Sequence, residues 1–203
     1  CKGSDVLQIL PLNRASMRSL DMTKTAIKAK TVFEDAFKIF LEKEGENILN
    51  DVAERNLCAR LSFYIETILS KNGLDNYFSD PEYNRKQNGK VKTILDSEMH
   101  VIPIQCDIVV HTRGKEVQYD NLIAIEMKKA HRPQLEKTND QNRLRALTKD
   151  SYDGVWSADG ETHPEHVCGY ALGVYIEINL NQKTSLLEYY QKGEKVSENS
   201  CSF

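Results

Sequence analysis

Residues 121–130, NLIAIEMKKA, constrain this chain more than any other stretch. On a strand, Leu122, Ala124, Glu126 and Lys128 fall on one face, and Ile123, Ile125 and Met127 on the other. The stretch reads as a strand running into a core. It ends, however, in a carboxylate and an ammonium two residues apart on one face, where an apolar pair is expected. Their alpha carbons are then about 7 Å apart, a gap that a metal-bound water can fill. Asp107 closes the apolar run VIPIQCD of a neighbouring strand candidate and can stand beside them across the ladder.

Two carboxylates and one ammonium converging in this way have a defined chemistry. A pair of acids can hold Mg2+ (or Mn2+) and leave coordination positions for waters and a phosphate oxygen. The metal acidifies a water and offsets charge developing at phosphorus, and Lys128 orients that water or stabilises the pentavalent state. The reaction implied is phosphodiester hydrolysis. Taken alone, the spacing also fits a strand running out into solvent, with Glu126 and Lys128 as a surface pair worth under about 1 kcal/mol. Glu126-Met-Lys128 is nevertheless the one place in the sequence where an acid precedes a lysine by two residues.

The rest of the chain supplies a frame for that site. Ile27, Phe33, Phe37, Phe40 and Leu41 predict a helix over 23–44, which EGEN should interrupt. A clearer helix, over about 51–71, carries the stripe Leu57, Leu61, Tyr64, Ile65, Ile68 and Leu69, and KNG closes it. Glu54 extends that stripe toward the core, where a carboxylate needs a partner. It can also be read as part of a capping box with Asp51. Extended segments are expected at 80–86 (DPEYNRK), 101–112 (VIPIQCDIVVHT) and 121–130, the last two joined as a hairpin. A third helix over 133–149 should turn Leu135, Leu144 and Leu147 inward. Strands follow at 167–180 and 184–190, and the final dozen residues read as a frayed polar tail.

With Asp107, Glu126 and Lys128 in this order on consecutive strands between two helices, the chain resembles the PD-(D/E)XK nuclease superfamily. The similarity spans roughly residues 45–190. It rests on DVAERNLCARLSFYI, DPEYNR, CDIVVHTRG, NLIAIEMKK, DQNRLRALT and GYALGVYI in that order, and it is closest to small, uncharacterised members. The resemblance implies an α/β fold: a restriction-endonuclease-like core with a mixed central sheet flanked by helices, plus an N-terminal helical extension. It divides the chain into an arm and helix (1–45), a nuclease-like domain (46–192) and a tail (193–203). By the same resemblance, Asp107 and Glu126 match the metal-binding acids, Lys128 the catalytic lysine, and Glu54 an acid that assists metal binding. Cys106 stands where the signature has proline.

Charge adds a partner. Net charge is only -3, but residues 128–149 hold seven cations (Lys128, Lys129, Arg132, Lys137, Arg143, Arg145 and Lys149) against Glu136 and Asp140. A basic stripe beside an acidic metal site suits a polyanion, most simply DNA, with Lys129, Arg132, Lys137, Arg143 and Arg145 on its phosphates. A solvated helix face, with Asp140 and Arg143 paired one turn apart, gives the same count. Arg85 fits a strand-edge salt bridge or, second, a phosphate or acid partner near the site, and His111 and His131 fit surface histidines or, second, proton shuttles. HPEHVC (His163, His166, Cys168) lacks a fourth zinc ligand.

Five scattered cysteines without CxxC predict reduced thiols in a cytoplasmic protein, and no apolar run is long enough for a membrane partner. A first residue of Cys rather than Met is expected for a chain that begins within a longer sequence; a lipid-anchored N-terminus is the less favoured reading. The rival function is a non-catalytic module that uses the same fold to bind nucleic acid or a partner protein.

Overall fold

A long helix opens the structure because its apolar positions keep helical spacing past the glycine expected to end it. The computed structural model describes residues 14–83, 93–95, 101–103, 106–115, 120–149 and 168–203. Helix α1 runs Arg14–Leu49, through EGEN. Gly45 costs a helix about 1 kcal/mol relative to alanine, but its neighbours more than offset this. The buried Glu44 carboxylate takes Arg60 Nε at 2.7 Å and the Tyr64 hydroxyl at 2.6 Å, both from α2, and Ile48 is buried just beyond. Helix α2 spans Glu54–Lys71, and every member of its expected stripe is buried.

The main sheet has six strands in the order β1-β4-β5-β6-β7-β8. They are β1 (Phe78–Pro81), β4 (Ile108–His111), β5 (Asn121–Lys129), β6 (Leu172–Asn179), β7 (Thr184–Gln191) and β8 (Glu194–Ser202). Only β5 and β6 run parallel, and α3 (Gln134–Thr148) lies between them in sequence, as a parallel crossover requires. Strands β2 (Thr93–Leu95) and β3 (Val101–Pro103) form a separate antiparallel pair.

Alternation along the strands builds two cores. Ile123, Ile125 and Met127 of β5 meet Val174, Ile176 and Ile178 of β6, and α1 and α2 cover that face through Phe33, Phe37, Phe40, Leu61 and Ile65. Each such fully buried side chain contributes about 1.5–3 kcal/mol. On the opposite face, Val109, Ala124, Tyr175 and Tyr190 pack against Leu144 and Leu147 of α3. Helix α1 therefore shares the core of the 46–192 segment.

Several expectations need correction. The run 101–112 is two strands in two different sheets, since continuous apolarity does not reveal where a chain changes sheet. Strand β1 begins at Phe78, two residues before the expected start. Leu135 is 72% exposed, because nine residues, two and a half turns, separate it from Leu144. Lys137 and Asp140 take the buried positions on that helix instead. Residues 194–202 are a strand paired with β7 along its whole length, not a tail. This strand lies at the sheet edge, mostly exposed, so its polar sequence carries no apolar alternation to announce it.

Candidate active site

The ladder between β4 and β5 pairs Ile108 with Ile125 and Val109 with Ala124, so one step further Asp107 stands opposite Glu126. Both lie on the α3 face with Lys128, while Met127 and Lys129 turn to the other. Strand β4 begins only at Ile108, and this leaves the β4-facing edge of β5 open beyond Ile125. Two carboxylates take the amides exposed there. Asp107 Oδ2 accepts from Met127 N at 2.8 Å, and Glu54 Oε1, from the first residue of α2, accepts from Lys129 N at 2.9 Å. Those amides are two residues apart, so the acids line one edge at a spacing of about 7 Å. Glu54 is not in a capping box: Ala53 occupies the N-cap and makes no side-chain cap.

Cys106 completes this strand end. Its buried thiol donates to the Ile125 carbonyl at 3.1 Å, which ties the residue before Asp107 to β5. Burial, together with Glu126 and Asp107, holds that thiol well above the usual cysteine range, so it is inert toward electrophiles. Cys58, Cys106, Cys168 and Cys201 form no disulfide.

Helix α3 supplies what the sequence placed elsewhere. Arg143 Nη1 lies 2.5 Å from Glu126 Oε1 and 3.0 Å from Asp140 Oδ1. Asp140 Oδ2 in turn lies 3.0 Å from Lys128 Nζ. The result is a ring, Glu126 to Arg143 to Asp140 to Lys128, that closes through two residues of β5. Glu126 is 1% exposed, and its Oε2 has no hydrogen-bond partner among the described residues.

Electrostatics follow from this crowding. Burial pushes the Glu126 carboxyl well above the usual range, with Asp107 adding to the rise and Arg143 opposing it. Burial also raises Asp107, against the Met127 amide and the Lys128 ammonium. Burial disfavours the Lys128 ammonium, but Asp107 and Asp140 outweigh that and hold it above the usual lysine range. The two facing carboxyls therefore keep a proton more readily than either would in water.

Among the described residues no group of three or more His, Cys, Asp or Glu side chains is arranged to hold a metal ion. What is present is the Asp107 and Glu126 pair, with Glu54 turned to the Lys129 amide. Mg2+ often takes only one or two carboxylates and keeps its waters, so a pair with one unpartnered buried oxygen fits that ion.

The basic stripe is not a free cationic surface. Lys129 is buried on the opposite face, with Nζ 2.6 Å from Asp51 Oδ1. Lys137 is buried, 3.1 Å from Glu177. Arg132 pairs with Glu136 at 2.8 Å, Arg145 with Glu194 at 3.1 Å, and Arg143 serves Glu126. A count over 128–149 missed this because most of the matching acids lie elsewhere in the chain. His111 is at the far end of β4, buried against Asp80 at 3.0 Å, and is no shuttle for this site. His131 is exposed in the turn after β5. Arg85, His163 and His166 lie outside the described residues.

Fold and site together define an α/β protein in which the described residues form a six-stranded mixed sheet, three helices and a buried charge ring where α3 meets β5. No family model, curated protein or solved structure was found to match the chain. Among the described residues, no helix is long and apolar enough to cross a membrane.

Proposed function

We propose that this protein is a Mg2+- or Mn2+-dependent nuclease of the PD-(D/E)XK type, hydrolysing phosphodiester bonds in DNA on a restriction-endonuclease-like core. The observation that carries this reading is the meeting of Asp107 and Glu126 across the ladder beside Lys128, with Glu126 Oε2 buried and unpartnered. A buried carboxylate oxygen without a geometric hydrogen bond is costly, and a bound cation is one partner that would satisfy it. Asp107 and Glu126 would hold the ion, and Glu54 holds the strand edge beside them. A divalent ion held there would supply Lewis acidity and acidify a water. Lys128 would donate a hydrogen bond to the phosphate oxygen that gains charge.

The test is cleavage of single- and double-stranded DNA and RNA with Mg2+, Mn2+ or EDTA. Asp107→Ala and Lys128→Ala should each abolish metal-dependent cleavage while the circular dichroism spectrum is unchanged. Full activity in either variant removes the assignment. A second reading, a non-catalytic module that binds nucleic acid or a protein, draws support from one observation: the chain itself supplies Glu126 with a cation, Arg143. Calorimetric titration with Mn2+ separates the two, since a module of that kind has no use for the ion.

A further inference from the structure

We infer that Asp140, on α3, is a positioning residue that keeps the Lys128 ammonium off the carboxylates of the proposed metal site. This rests on the nuclease reading above. Lys128 carries four rotatable side-chain bonds and lies among three acids, Asp107, Glu126 and Asp140, all of which attract its charge. An ammonium settled on Asp107 or Glu126 would occupy the very oxygens a divalent ion needs. The observed pairing is with the third acid, Asp140, at 3.0 Å, and the Lys128 side chain is only 15% exposed. Asp140 is itself fixed, because its other oxygen takes Arg143 Nη1 at 3.0 Å from one turn along the same helix. The anchor for Lys128 thus comes from an element that contributes no metal ligand.

Neutralising Asp140 would free Lys128 to swing inward.

The experiment is a double-mutant cycle read by Mn2+ titration on the folded full chain, with kcat and KM on whichever nucleic acid the wild type cleaves. Asp140→Asn should weaken Mn2+ binding about tenfold with Lys128 present. In a Lys128→Ala background the same change should weaken it by at most about threefold, because the competitor is gone. For cleavage, kcat should fall more than KM rises, and Asp140→Glu should restore part of the loss. Equal losses of Mn2+ affinity in both backgrounds, in a protein whose wild type cleaves, overturn the positioning role alone. A wild type that cleaves no substrate with any metal overturns the nuclease reading and this inference with it.

Discussion

Arg143 reaches from α3 to Glu126 on β5 with its Nη1 2.5 Å from Oε1, and this contact joins the helix to the sheet through a buried carboxylate. Glu126 is 1% exposed and Arg143 about a fifth exposed, so the pair is screened little by water. Removing one partner strands the other. Arg143→Ala should destabilise the fold by about 3 kcal/mol in urea unfolding, and the double variant with Glu126→Gln should recover most of that. Equal losses in the single and double variants would show that the pair is not energetically coupled.

The raised carboxyl at Glu126 has a definite sign in stability against pH. Between the ordinary glutamate value, about 4.3, and the raised native one, the folded state binds more protons than the unfolded state. Stability therefore falls as pH rises through that window. Without divalent ions, the melting temperature should decline as pH rises above the ordinary glutamate value, and Glu126→Gln should flatten that decline. Added Mn2+ should stabilise more at pH 8 than at pH 5, since its ligands must lose their protons. Fluorimetric melting across a buffer series reads both.

Asp80 should behave in the opposite way. Burial alone would raise it, but hydrogen bonds from His111 and Arg113 outweigh burial and hold it far below the usual aspartate range. Its stabilisation is full above the ordinary value, about 3.9, and is lost only as pH falls through the depressed native one. Asp80→Asn should cost about 2 kcal/mol at pH 7. That deficit should persist down to about pH 4 and shrink only below it. Acid titration of both proteins by circular dichroism is the measurement.

How much of this was legible in the sequence depends on whether a signal was local. The alternation in NLIAIEMKK placed β5 and its charged end correctly, and helical spacing placed α2, because each rests on residues a few positions apart. Strand β8 escaped, since an exposed edge strand needs only backbone pairing and carries polar side chains. Asp140 and Arg143 were visible as an i,i+3 pair, but their ion pairs with Lys128 and Glu126 depend on how α3 sits against β5. Lys129 looked like a surface cation because its partner, Asp51, lies 78 residues away in the chain.

That docking of α3 can be tested outside the ring. Gly173 on β6 lies under the helix, where an added Cβ would stand 3.0 Å from Thr148 Cγ2 and 3.1 Å from Tyr190 Cβ. Thr148 cannot easily give way: it is buried, and its hydroxyl donates to the Leu144 carbonyl at 2.9 Å and accepts from Gly193 N at 3.2 Å. The neighbours must give by a few tenths of an ångström, and a helix that does so carries Asp140 and Arg143 with it. Gly173→Ala should therefore destabilise the fold by about 1–3 kcal/mol. It should also weaken Mn2+ binding, although no atom of residue 173 belongs to the charge ring. Urea unfolding and Mn2+ titration of the same sample give the two quantities. A destabilised variant with unchanged Mn2+ affinity would mean that the ring adjusts to a displaced helix, and that α3 is less tightly coupled to the site than its ion pairs imply.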